Sequence, residues 1–213
     1  FCGCTSLKKI VIPDGITSIE GSVFYGCTSL TEITIPDSVT SIWSSAFRGC
    51  SSLTEITIPD RVTSIGDSAF YSCTSLTEIT IPDSVTNIEG FVFTDTPWLT
   101  AKQEENPLVI LNGTLIDGTT CTGSVTIPDG VTSIAGGAFD SCTGLTAIAI
   151  PKSVTSIGDS AFYRCTSLTE ITIPDSVTSM GDYVFDGCTG LTKVTMPDSI
   201  TSISDYAFRS CTG

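Results

Sequence analysis

Residues 27–49 read CTSLTEITIPDSVTSIWSSAFRG, and close copies of this string fill 50–72, 73–95, 142–164 and 165–187. Such a repeat decides the fold class, because a segment this short buries no face alone and must stack on its neighbours to share one continuous core. Phe24, Phe47, Phe70, Phe93, Phe139, Phe162, Phe185 and Phe208 keep a strict 23-residue register. Cysteines mark the same frame at 4, 27, 50, 73, 142, 165, 188 and 211, and the gap of 69 between Cys73 and Cys142 is three periods with no residue inserted or lost.

Within a repeat, Leu30, Ile33 and Ile35 have the L-x-x-L-x-L spacing of a leucine-rich-repeat strand, whose alternating residues face the core while those between face solvent. Pro36-Asp37 ends the strand, since proline lacks the N–H that the next ladder bond needs. Val39, Ile42, Ala46 and Phe47 carry the return path. The expected fold is a leucine-rich-repeat solenoid, with short parallel strands on a concave sheet and irregular or short helical segments on the convex side. The chain forms one domain over 1–213, with sub-arrays at 1–95 and 119–213 around an irregular segment at 96–118. Phe1-Cys2-Gly3-Cys4 is the tail of a repeat and Cys211-Thr212-Gly213 the start of another, which predicts a slice of a longer array.

The unit ending in Ala-Phe-x-x-Cys, with Ile-Pro-Asp after the strand, resembles the BspA-like leucine-rich repeats of bacterial and protozoan surface proteins. It lacks the Asn that comes after the strand in the commonest leucine-rich repeats. The resemblance implies an extracellular or surface-attached adhesion module whose partners are matrix or cell-surface proteins or glycans.

One period breaks the pattern. From Thr96 to Gly118 the strand positions hold Lys102 and Glu104, which a core does not accept without partners. Thr96-Pro97 reads as an N-cap with proline in the first turn, and Asn106-Pro107 is a stop signal, which together predict a helix over 97–105. Asn112-Gly113 between Leu108–Leu111 and Thr114–Ile116 predicts a hairpin. Leu115 and Ile116 are expected where Ala and Phe sit in regular repeats, so that a helix plus hairpin replaces one repeat. The segment is either a splice between sub-arrays or a binding protrusion. Asn112-Gly113-Thr114 is also a glycosylation sequon, although turn chemistry accounts for it as well.

The net charge of -14, from 23 acidic and 9 basic residues, argues against a nucleic-acid partner, which needs clustered Lys and Arg. No run approaches the roughly 18 apolar residues of a membrane helix, so no insertion is expected. Ten cysteines at one per repeat predict a file of buried free thiols, not a metal or disulfide centre. Cys2 and Cys121 fall outside that file and are expected to be exposed or bridged. There is no His, no phosphate-binding Gly-rich loop, no nucleophile elbow and no metal cluster, so neither catalytic residue nor cofactor is expected.

Outward strand positions form two columns. One holds Lys9, Glu32, Glu55, Glu78, Ala101, Ser124, Ala147, Glu170 and Lys193; the other holds Val11, Thr34, Thr57, Thr80, Gln103, Thr126, Ala149, Thr172 and Thr195. Like charges on adjacent strands repel, so the glutamates serve either as a solvated face that resists aggregation or as a site for a basic partner. Glu32, Thr34, Glu55, Thr57, Glu78, Thr80, Glu170 and Thr172 are the candidate partner-binding residues, with Trp43 and Trp98 as possible aromatic anchors. Asp14, Asp37, Asp60, Asp83, Asp129, Asp175 and Asp198 form a further column of turn residues, too few per turn for calcium. The expected function is non-catalytic adhesion through the concave face, and the alternative is a structural spacer that projects another domain.

Overall fold

The computed structural model describes residues 1–213 and divides into two compact units, Phe1–Glu104 and Glu105–Gly213. The boundary falls inside the irregular segment. In the N-terminal unit, three-residue strands β1 (Lys9–Val11), β3 (Glu32–Thr34), β5 (Glu55–Thr57) and β7 (Glu78–Thr80) alternate with two-residue strands β2 (Ser18–Ile19), β4 (Ser41–Ile42), β6 (Ser64–Ile65) and β8 (Asn87–Ile88). Pairing is parallel and in register: Lys9 opposite Glu32, Glu55 opposite Glu78, Ile56 opposite Ile79. Proline ends each three-residue strand, and its carbonyl then accepts from the amide three residues on, as in Val39 N to Pro36 O at 3.0 Å.

The return path differs from the expected irregular or helical convex side. Ser-Ile pairs make a second parallel ladder in the order β2-β4-β6-β8, because Ser41 and Ile42 stand opposite Ser18 and Ile19 and the pattern propagates. Turns replace any convex helix in the regular repeats. These turns hold one left-handed residue two places before each phenylalanine and another two places after, for example Ser45 (φ 58) and Gly49 (φ 73) around Phe47. That conformation disfavours side chains with a Cβ, so the coil carries a recurring strain wherever these positions are not glycine, as at Ser45, Phe91 and Tyr183.

Stacked phenylalanines form the core. Ring centroids of Phe24, Phe47 and Phe70 lie 5.3 and 5.2 Å apart, and those of Phe139, Phe162 and Phe185 lie 5.2 and 5.5 Å apart. Beside them runs the cysteine file. In the regular repeats each buried thiol donates to the phenylalanine carbonyl one repeat back, as in Cys50 Sγ to Phe24 O at 3.2 Å and Cys188 Sγ to Phe162 O at 3.0 Å, whereas next to the irregular segment Cys142 Sγ donates to Gly118 O and Cys121 O and Cys121 Sγ to Pro107 O. The thiols therefore fill space and add a second donor to carbonyls that already accept an amide, as Phe24 O does from Cys27 N at 3.1 Å. All ten cysteines are free; Cys2 and Cys4 are exposed and Cys211 half-buried.

Helix α1 (Pro97–Glu105) forms as the sequence predicts, with Thr96 Oγ1 accepting from Leu99 N at 3.1 Å. Ala101 and Gln103 lie in this helix, so neither joins an outward strand column. The hairpin also forms, from β9 (Val109–Leu111) and β10 (Thr114–Asp117), with Asn112 and Gly113 both left-handed as a two-residue turn requires. In the C-terminal unit β10 begins a ladder with β12 (Ser133–Ile134), β14 (Ser156–Ile157) and β16 (Ser179–Met180). The other ladder is β11 (Gly123–Thr126), β13 (Leu145–Ala149), β15 (Glu170–Thr172) and β17 (Lys193–Thr195).

Two expectations about the irregular segment fail for one reason, a local slip of register. Leu115 pairs with Ile134, so it occupies the Ser-Ile ladder and not the Ala-Phe position, and Ile116 is only half-buried. Gly118 takes the phenylalanine place: its amide donates to Ala138 O at 2.6 Å, and a Cβ on it would meet the Phe139 ring at 2.3 Å. Cys121 is accordingly inside the thiol file, not outside it. It is buried, and its carbonyl accepts from Cys142 Sγ at 3.1 Å. A bulge at Gly123 and Ser124 restores the 23-residue frame, with Ser124 opposite Ala147.

Candidate functional site

In the N-terminal unit β3, β5 and β7 present Glu32, Glu55 and Glu78 beside Thr34, Thr57 and Thr80, all exposed. The alternation of the strand sends Ile33, Ile56 and Ile79 inward and these residues outward. They line a shallow depression of about 560 Å³, with Asp37 and Pro59 at its border. Glu32 accepts an ion pair from Lys9 Nζ on the neighbouring strand, which offsets charge at one end of the ladder. Glu55 and Glu78 face each other in register.

In the C-terminal unit the equivalent face reads Ser124, Ala147, Glu170, Lys193 in one column and Thr126, Ala149, Thr172, Thr195 in the other. Glu170 and Thr172 are exposed there. The hollow over β13, β15 and β17 is larger, about 830 Å³. Each unit thus gathers its own predicted Glu and Thr residues onto one face.

The tryptophans belong elsewhere. Trp43 comes directly after β4, away from the three-residue strands; it is 54% exposed, and its Nε1 donates to Ser41 Oγ at 3.1 Å. Trp98 is 8% exposed and tilts against Phe93 at 4.7 Å between centroids, so it packs α1 onto the core and is no surface anchor.

Sequence reasoning missed a turn-edge cluster in the C-terminal unit. Tyr183 and Tyr206 stack at 5.0 Å, both with left-handed backbones, and the Arg209 guanidinium lies 5.5 and 5.1 Å from their centroids. Asp186 is buried and accepts from Arg209 Nε at 3.0 Å. The signal was tyrosine where most repeats have serine.

Burial holds Cys50, Cys73 and Cys121 protonated: loss of solvation pushes Cys73 up to about 12 and Cys121 up to about 11. Such thiols are poor nucleophiles at neutral pH. No three His, Cys, Asp or Glu residues group where they could hold a metal ion, and no helix is long and apolar enough to cross a membrane.

Parallel strands stacked at one per 23 residues around a phenylalanine and thiol core define a leucine-rich-repeat solenoid. The model of the BspA type Leucine rich repeat region matches residues 1–113 and 116–213 in six copies, and the chain belongs to that family. Among solved structures it is similar to a leucine-rich repeat protein from Eubacterium ventriosum, at 26% identity and a TM-score of 0.55. That match covers 96% of this chain and 64% of the other, so the chain spans about two thirds of its relative. A leucine rich cell surface protein from Faecalibacterium prausnitzii is 28% identical over 97% of this chain and 77% of its own, with a TM-score of 0.46. The T. pallidum leucine rich repeat protein is 28% identical, covering 93% and 85%, also at 0.46. No curated protein matches the chain. The family implies a protein-binding or structural role, and its members are typically non-enzymatic binding modules.

Proposed function

We propose that this chain is a non-catalytic adhesion module of a cell-surface or secreted protein, which engages a large extracellular partner through the face of its three-residue strands. The observation that carries this reading is the exposed set of Glu32, Glu55, Glu78, Thr34, Thr57 and Thr80 lining one hollow, with Glu55 and Thr57 in register with Glu78 and Thr80, and Glu170 and Thr172 on the matching face of the second unit. Aligned carboxylates repel one another, so they cost the fold something that a basic surface on a partner would offset. The family supports the binding role. A spacer that projects another domain is favoured by one observation, the monotony of Glu55 with Glu78 and of Thr57 with Thr80.

Binding to a panel of matrix proteins and glycans, at low and physiological salt, separates the two. Adhesion predicts saturable binding that the variant Glu32→Ala, Glu55→Ala, Glu78→Ala loses and that salt weakens. Absence of binding across the panel would leave the spacer.

A further inference from the structure

We infer that the strand face of the C-terminal unit holds a specificity site: an apolar shelf at Ala147 and Ala149 that takes a bulky apolar side chain of a protein loop with a carboxylate beside it. This deepens the adhesion reading and rests on it, by naming the part of the face that selects.

The repeat at 142–164 departs from its neighbours at three positions close in sequence. Ala147 stands where Glu55, Glu78 and Glu170 stand, Ala149 where Thr57, Thr80 and Thr172 stand, and Lys152 where Asp60, Asp83 and Asp175 stand. The inward residues Leu145 and Ile148 keep the pattern and are buried. Folding does not account for these changes, since alanine is a poorer exposed strand residue than threonine. Their effect is on the surface. Two short side chains widen the hollow to about 830 Å³, against about 560 Å³ on the N-terminal unit. Half-buried Ile150 and Met196 border it with buried Ile173, whereas Ile35, the residue of that row that lines the N-terminal hollow, is buried.

The rim supplies charge. Lys152 lines the hollow together with Glu170 and Asp175 and is a cation in a turn row otherwise made of aspartates, while Glu170 stands in register with Ala147; the N-terminal hollow is lined by Glu32, Asp37, Glu55 and Glu78 and by no cation. An apolar floor with a charged rim is the composition of a protein-binding patch. Lys152 selects a carboxylate next to the anchoring side chain, where the acidic N-terminal face would repel it.

The test uses the whole chain and a variant that restores the common repeat, Ala147→Glu, Ala149→Thr, Lys152→Asp. Neighbouring repeats already carry these residues at the same positions, so the variant keeps the fold, which an unfolding curve checks. A phage-displayed library of random linear peptides is panned on the wild-type chain, and an enriched peptide is synthesised and titrated. We expect Phe, Trp or Leu next to Asp or Glu in the enriched peptides. Affinity should fall roughly tenfold or more in the restored variant and stay unchanged in Arg61→Ala, an exposed turn residue that lines neither hollow. Enrichment of Lys- and Arg-rich peptides that depend on Glu55 and Glu78 would overturn the shelf and leave the adhesion reading standing. Failure to enrich any peptide, or binding of an arrayed glycan through the shelf in place of peptide, overturns it as well. Peptides indifferent to the restored variant and to Glu55→Ala, Glu78→Ala alike would remove the strand face from either role.

Discussion

In the N-terminal unit the outward residues of β3, β5 and β7 are Glu-Thr three times over, whereas in the C-terminal unit β11, β13, β15 and β17 show Ser-Thr, Ala-Ala, Glu-Thr and Lys-Thr. Inward, the two units agree: phenylalanines stack at 5.2 to 5.8 Å in both, and thiols donate to phenylalanine carbonyls in both. The comparison separates two kinds of information in one repeat. Positions that touch the next coil are held to a single solution by close packing. Positions that touch only solvent are free to differ, and a difference there reports on something outside the chain.

If the inward positions are equivalent, removing the middle ring of either stack should cost the same. Phe70→Ala and Phe162→Ala delete fully buried rings, each between two stacked neighbours. Each should lose about 3–5 kcal/mol in denaturant unfolding. A cost below roughly half that range in one unit alone would mean that its stack collapses around the gap, and the equivalence would break.

Next in size is the response to alkali, which sums over the thiol file. Burial raises Cys73 from 9.0 to about 12 and Cys121 to about 11, so the folded chain keeps protons that the unfolded chain releases. For an acid raised on folding, stability is full below about pH 9 and falls above it, because the unfolded state then binds fewer protons. Unfolding midpoints should be level from pH 7 to about 9 and drop toward pH 12. Since Cys121 is raised less than Cys73, Cys121 should be labelled before Cys73 as the pH rises. Prior labelling at Cys73 would reverse the order.

Gly118→Ala probes the one place where the C-terminal unit lacks a phenylalanine. Its new methyl would meet the Phe139 ring, which is itself pinned by Phe162. We expect a loss of about 1–3 kcal/mol confined to the C-terminal unit. A neutral outcome would show that Phe139 can shift and that the ring column is looser at its start than farther along.

Legibility in the sequence tracked periodicity. The strands, their register, the Glu and Thr columns, the helix at 97–105 and the Asn112-Gly113 turn were readable, since each carries a repeated or local chemical signature. The Ser-Ile ladder was not, because two residues are too few to show a period of two. The slip at Gly118 and Cys121 was hidden for a different reason. Counting in 23s across a segment whose ends are in frame conceals a shortening by four residues at Leu115 and by two at Gly118, which is made up in steps ending at the bulge between Gly123 and Ser124. Trp43 and Trp98 share a residue type but not a setting, which only the packing around Phe93 decides.

The smallest effect compares two cross-strand Lys and Glu neighbours of opposite order, the first of them an ion pair. Lys9 and Glu32 are bonded across β1 and β3, with side chains 58% and 60% exposed. Glu170 and Lys193 stand in the same register across β15 and β17, with the charges exchanged between the strands. Exposed pairs contribute about 0.2–1 kcal/mol and are screened by salt. Lys9→Ala should therefore lower stability within that range at low salt and have no effect at high salt, and Lys193→Ala should cost less at either. An equal cost at Lys193 would mean that Glu170 is also paired in solution. The carboxylate beside the Ala147 shelf would then be neutralised from its own sheet, and Lys152 alone would set the charge that a partner meets.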